Sequence, residues 1–266
     1  MSIRASFALR CLLLALIALL GSGCASTPGR TRSDDPWEGF NRGVYKFNDV
    51  VDRTTLKPIA KGYRKITPQW IRSGVGNFFA NLTYPATFIN QFLQGKVKLG
   101  FQDAGRFLLN STLGVGGLID VATPMGLQAN DEDFGQTLAV WGVGSGPYLT
   151  LPFFGPSTLR DAPSRAGDYY FGVLTYVDIP WEAEWALRGF DVVHSRSELL
   201  PLDPTLQRTF DPYAFVRDAW LQQREFNIFD GDPPPETLED LGIEEEPAEA
   251  EPPAEPATEP APQPTP

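Results

Sequence analysis

Residues 141–161, WGVGSGPYLTLPFFGPSTLRD, constrain the fold more than any other part of the chain. They hold four glycines, three prolines and four aromatic rings in 21 residues. That many glycines and prolines forbid a continuous helix. The rings are too apolar for a solvated linker. The segment reads as a re-entrant loop between regions that read as helix.

The helical signals are local and repeated. Asp35-Pro36-Trp37-Glu38 offers an aspartate cap, a proline with helix-ready φ and a glutamate able to close a capping box. Phe40, Val44, Phe47 and Val51 follow as an apolar stripe. Thr67-Pro68 and Asp211-Pro212 repeat the cap-plus-proline start. The run from Phe88 to Leu93 meets a C-cap at Gly95, and Val97, Phe101, Ala104 and Leu108 form a second stripe. Strand signals are weak: 175–181 (TYVDIPW) is broken by proline and 148–151 is short. These signals predict an all-α fold of several short helices joined by Gly/Pro-rich loops, with no internal repeat. No apolar run of 18 follows the N-terminal region, so no spanning helix is expected.

The N-terminus assigns a compartment. Arg4 and Arg10 flank the ten-residue run CLLLALIALL, which is too short for a bilayer that needs roughly 20 residues. It reads as a signal peptide over 1–23. The sequence LLGSGCAS resembles a bacterial lipobox, with Gly21 where leucine is commonest, so Cys24 is the expected lipidation site; ordinary cleavage beside an incidental cysteine is the alternative. Full acylation would anchor the chain firmly, and by resemblance to sorted bacterial lipoproteins Ala25 rather than aspartate after the cysteine favours the outer membrane. With Cys11 removed and Cys24 lipidated, no thiol remains for a disulfide or a metal. The expected organisation is a lipidated tether over 24–34, a helical domain over 35–230 and a disordered tail over 231–266.

The net charge of −11 belongs to that tail, which carries eleven of the 33 acidic residues and no Lys or Arg. The remaining 22 acidic groups balance the 22 basic ones, so nothing suggests nucleic-acid binding. Eleven prolines among the 36 tail residues predict disorder, most simply a solvated spacer.

No catalytic constellation emerges. His194 is the one histidine, which excludes a paired-His metal site. Ser145 has Val143 and Pro147 where a nucleophile elbow needs glycines. The glycines of GVGSG and LGVGG lack the spacing and setting of a nucleotide loop. No cofactor is expected.

Two glycine-rich apolar loops, 113–126 and 141–161, remain to be explained. Composition alone fits either a soluble core or a lipid-facing loop. Between Arg42 and Arg72 lie eight basic residues against Asp49 and Asp52; among them Arg53, Lys57, Lys61 and Lys65 recur every fourth position. Such a face suits phosphate head groups, if Pro58 only kinks or restarts the helix.

The motifs DPWEGFNRGVYKFN (35–48), NFFANLTYPATFINQFLQG (77–95), RFLLNSTLGVGGLIDVA (106–122), FGQTLAVWGVGSGPYLTLPFFGPSTLRD (134–161) and FDPYAFVRDAW (210–220) resemble the MlaA (VacJ) lipoproteins of Gram-negative outer membranes. The resemblance covers roughly 35–226. It implies a ring-shaped, monotopic helical domain in the periplasmic leaflet of the outer membrane. Such a domain removes misplaced phospholipid through a central amphipathic channel, passes it to a soluble periplasmic carrier and associates with trimeric porins. On this reading the candidate channel or gate residues are Gly114, Gly116, Gly117, Gly142, Gly144, Gly146 and Tyr148, and the candidate head-group contacts are Arg53, Lys57, Lys61 and Lys65. A passive scaffold that tethers porins or periplasmic partners is the alternative. A phospholipid-degrading enzyme, which would depend on His194 or Ser145, is the third reading.

Overall fold

The computed structural model describes residues 35–234. Helix α1 (Glu38–Val51) runs through a π turn (Asp52–Leu56) into α2 (Lys57–Ile66). The Lys57 amide reaches back five residues to the Asp52 carbonyl. This wider turn lets the helix continue past Pro58, whose ring would otherwise press on the carbonyl four residues earlier.

Next come α3 (Gln69–Leu93) and α4 (Val97–Thr112), joined by a tight turn. Gly95 takes a φ of 78°, and Lys96 N–H donates to Gln91 O at 2.8 Å, which closes the expected C-cap. The pairs Gln91–Asp103, Tyr84–Arg106 and Asn81–Ser111 run in opposite sequence directions, so the two helices are antiparallel. The chain then passes a loop containing the 3₁₀ turn Thr123–Met125 and forms α5 (Phe134–Val140). A hairpin follows, with Tyr148 of β1 (Tyr148–Leu151) opposite Thr158 of β2 (Gly155–Thr158). The last elements are α6 (Asp161–Phe171), α7 (Trp181–Leu199), α8 (Asp203–Arg208) and α9 (Pro212–Ile228). The fold is all-α apart from that one two-stranded hairpin, and among the described residues no helix is long and apolar enough to cross a membrane.

The interior is polar and the exterior apolar. Among the described residues the buried apolar and aromatic side chains are Ala60, Phe79, Tyr84, Ala122, Tyr148 and Tyr213, whereas 22 polar or charged residues are buried. Helix α4 shows the inversion most clearly. Its buried face is Gly100, Asp103, Arg106 and Asn110, while Val97, Phe101 and Leu108 are 53%, 69% and 62% exposed. A stripe of this kind ordinarily marks the face turned to a core; here it faces outward. The fold is held instead by polar networks that offset most of the desolvation, although Asn81 Oδ1, Gln91 Oε1, Gln94 Oε1, Asp103 Oδ1 and Gln136 Oε1 are buried without a hydrogen-bond partner.

One network corrects the expected start of α1. Asp35 is fully buried and does not cap the helix; its carboxylate accepts from Asn41 Nδ2 at 2.8 Å, from Arg217 Nη1 at 3.2 Å and from the Tyr213 hydroxyl. Glu38 pairs with Arg42 rather than closing a capping box. Thr67 likewise makes no cap bond, and α3 begins after Pro68. Asp211 does cap α9, accepting the Ala214 amide at 3.2 Å with Pro212 as the first helical residue.

Candidate functional site

Helix α3 presents Phe79, Leu82, Thr83 and Ala86 toward α6 and α7, and a cavity of about 470 Å³ lies between them. Val173 and Leu174 extend its apolar wall, and Phe154 reaches it from the hairpin. Its polar wall comes from the 131–133 strap, from Arg165 and Asp168 of α6, and from Arg188 and Asp191 of α7. Arg165 and Asp168, like Arg188 and Asp191, are three apart on their helices and share one face. A second cavity of about 280 Å³ shares Phe79, Thr83 and Asp191 with the first and continues along α3 and α7 past Gly76, His194 and Glu198. The two adjoining cavities are amphipathic: apolar on α3, charged on the opposite wall.

Several of its charges are neutralised from behind. Glu132 bonds Lys96 at 2.8 Å, and Asp133 takes two bonds from Arg224. Arg224 also holds Asp161 at 3.0 Å. Arg188 bonds Glu184 and lies 4.9 Å from the Tyr169 ring centroid. Asp168 accepts the Phe134 amide at 2.8 Å and Asn90 Nδ2 at 3.3 Å. Burial nevertheless pushes its carboxyl up to about 6, and nearby Asp133 adds to the shift. Burial raises Asp131 and Asp191 as well.

The loop 113–126 lies away from this cavity and is tightly tied. Asn110 Oδ1 accepts the Val121 and Ala122 amides at 2.9 and 3.1 Å. Asp120 accepts from Thr123, Asn110 and Arg106. Burial works against the Asp120 charge, but those hydrogen bonds hold the carboxyl down at about 2. On this frame Leu113, Val115, Leu118, Ile119 and Met125 are exposed.

The candidate gate glycines divide by cause. A Cβ on Gly114 would meet the Ile119 carbonyl at 2.2 Å, and one on Gly117 would meet the Asn81 side chain at 2.6 Å. Gly116 and Gly142 have positive φ with open space around them, Gly144 has open space alone, and Gly146 has positive φ beside Leu159. Tyr148 is 2% exposed and packs against Tyr213 and Trp220. Of the basic series, Lys61 and Lys65 are exposed, Arg53 pairs with Asp49 at the surface, and Lys57 is bound to Asp203 at 2.8 Å. His194 Nδ1 lies 3.3 Å from the Tyr63 hydroxyl and the ring is buried. Ser145 sits in the turn before β1, where its carbonyl accepts from Arg160 N at 3.1 Å. Among the described residues no cluster suited to a metal is present. Cys24 and the tail beyond 234 lie outside the described residues.

Sequence reasoning missed the cavity because its walls come from five separated stretches, and the apolar members on α3 looked like an ordinary helix face. The signal available was the opposite charges three positions apart, Arg165 with Asp168 and Arg188 with Asp191.

A helical body with polar networks inside, apolar side chains outside and an amphipathic cavity is built for a membrane surface; among the described residues no helix is long and apolar enough to cross one. The chain belongs to the MlaA lipoprotein family, whose model matches residues 33–227. It is 42% identical over 225 residues to the intermembrane phospholipid transport system lipoprotein MlaA of Escherichia coli K12, covering 82% of this chain and 88% of the relative. The protein of the same description from Haemophilus influenzae is 35% identical over 227 residues, covering 82% and 89%. A solved structure described as "Structural basis for maintenance of bacterial outer membrane lipid asymmetry" superposes with a TM-score of 0.66 at 38% identity, covering 76% of this chain and all of that one. The family is one of transport lipoproteins, not of enzymes.

Proposed function

We propose that this lipoprotein extracts misplaced phospholipids from the outer leaflet of the outer membrane through its amphipathic cavity and passes them to a periplasmic carrier. The observation that carries the reading is the two-sided lining: Leu82 and Ala86 offer acyl chains an apolar wall, while Arg165, Asp131 and Asp191 face them across the same space. The exposed apolar residues of α4 and of the 113–126 loop set the body into a leaflet without crossing it. Lipidated Cys24 holds it there, with Lys61 and Lys65 at head-group level and Arg53 shared with Asp49. Glycines 114 and 117 shape the 113–126 platform, glycines 116, 142, 144 and 146 leave backbone freedom near the membrane, and Tyr148 fixes the hairpin that carries Phe154 to the cavity. A ring around the passage and a trimeric porin alongside belong to the same reading, drawn from the family resemblance.

The test is direct contact. A phospholipid with a photoreactive acyl chain should label Leu82 or Ala86 in membranes and spare the α4 stripe when competing lipid is diluted by detergent. Labelling confined to Phe101 and Leu108 would show annular lipid alone and leave the scaffold reading.

A further inference from the structure

We infer that the cavity selects zwitterionic phospholipids bearing a primary ammonium over anionic phospholipids. The inference rests on the lipid-path reading above and adds its head-group selectivity. It follows from which charges of the lining remain without a counter-ion once internal pairs are removed. Glu132 is taken by Lys96, Asp133 by Arg224 and Arg188 by Glu184. That leaves Arg165 on one side and Asp131, Asp168 and Asp191 on the other.

Arg165 forms no ion pair among the described residues. Its Nη2 donates to the Pro156 carbonyl at 3.3 Å and its guanidinium lies 5.8 Å from the Phe154 ring. It keeps spare donors in the planar fork that suits a phosphodiester. Asp168 is already committed to the Phe134 amide and Asn90. Among the described residues the Asp131 side chain makes no hydrogen bond and feels only the more distant Arg224 as a positive charge, and Asp191 bonds Ser195 and forms no ion pair, with Arg188 and His194 acting on it at longer range. Both therefore retain free acceptor positions on the cavity wall, and an ammonium brings three donors and a positive charge.

One head group satisfies both kinds of open site. A phosphodiester linked by two carbons to an ammonium offers its negative end to Arg165 and its positive end to Asp131 or Asp191. A phosphoglycerol head group offers the same phosphate but an uncharged hydroxyl, and it adds a negative charge where carboxylates are already in excess.

The full-length lipidated protein, reconstituted in vesicles of equal phosphatidylethanolamine and phosphatidylglycerol, is purified and its tightly bound lipid measured by mass spectrometry. The bound ratio should favour phosphatidylethanolamine by about threefold to tenfold, the scale of one well-placed charged contact. Asp131→Asn with Asp191→Asn should return the ratio to that of the vesicle at unchanged melting temperature. Asp131→Lys, which reverses the charge at one position and serves if the double variant folds poorly, should favour phosphatidylglycerol. Arg165→Gln should lower the total bound lipid of both kinds. Bound lipid with no preference in the wild type, or a preference unchanged in the aspartate variants, overturns the selectivity and leaves the lipid path standing. No bound lipid of either kind overturns both.

Discussion

Asn41 pairs with Thr150 as a neighbouring strand would: its Oδ1 accepts the Thr150 amide at 2.8 Å, and its Nδ2 donates to the Tyr148 carbonyl at 3.0 Å. Seven residues on, Asn48 repeats the device, accepting the Phe153 amide at 2.8 Å and donating to the Leu151 carbonyl at 2.9 Å. Two turns of α1 thus cover the open edge of a hairpin too short to stand alone. Asn41→Ala would orphan the buried Thr150 amide and one acceptor of Asp35. The expected loss is about 2–4 kcal/mol, with hydrogen exchange rising first across 148–158. Thermal melting and exchange mass spectrometry would show it; unchanged protection at Thr150 would refute the pairing role.

The glycines of the 113–126 loop should respond unequally. Gly114→Ala drives a methyl against the backbone carbonyls of Ile119 and Asn110 at 2.2 and 2.5 Å, groups that cannot move aside cheaply. A cost of about 3 kcal/mol or more is expected. Gly116→Ala meets open space and carries only the left-handed penalty at φ 68°, about 1–2 kcal/mol. Equal losses in urea unfolding would contradict this ordering.

The pH dependence should carry two opposed signatures. Asp168 has its folded carboxyl raised from 3.8 to about 6, so the native state holds the extra proton in that window. Its contribution therefore falls as pH rises from about 4 to 6. Asp120 is held down at about 2, so its contribution is present above about 4 and is lost as pH falls toward 2. Asp168→Asn should flatten the melting profile between pH 4 and 6 and leave the acid limb unchanged. A wild-type profile preserved in the variant would count against the assignment.

The hairpin tip is built for an interface. Phe153 takes a φ of 65° and Phe154 follows it, and the two are 73% and 68% exposed. In a Cys24→Ala background, Phe153→Ser with Phe154→Ser should lower vesicle binding by about a hundredfold or more, because burying each exposed ring contributes about 1.5–3 kcal/mol. Vesicle flotation reads this directly, and undiminished binding would place the membrane face elsewhere.

Local signals in the sequence were legible where one residue decides one turn. Asp211 caps α9 and Gly95 ends α3 as their types require. The same logic failed at Asp35, because a carboxylate beside a proline looks like a cap whether or not Tyr213 and Arg217 wait for it 178 and 182 positions away. Pro85 concealed the length of α3, since proline tolerated within a helix depends on neighbours that local pattern does not contain. The stripe of Val97, Phe101 and Leu108 was visible, but whether it meets protein or lipid depends on its opposite face. Asp103, Arg106 and Asn110 supply that answer only once Gln91, Tyr84 and Asp120 are in place. The cavity was invisible for the same reason: its opposing charges lie on segments brought together by tertiary packing alone.

The central claim is that phospholipid travels through the cavity beside α3. The measurement is transfer of fluorescent phospholipid from vesicles containing the lipidated protein to a soluble lipid carrier, compared between the wild type and Ala86→Trp. The indole would fill the apolar wall opposite Val173 and Leu174. Transfer should fall at least tenfold in the variant while membrane abundance and melting temperature hold. Wild-type rates through the filled cavity would contradict the account.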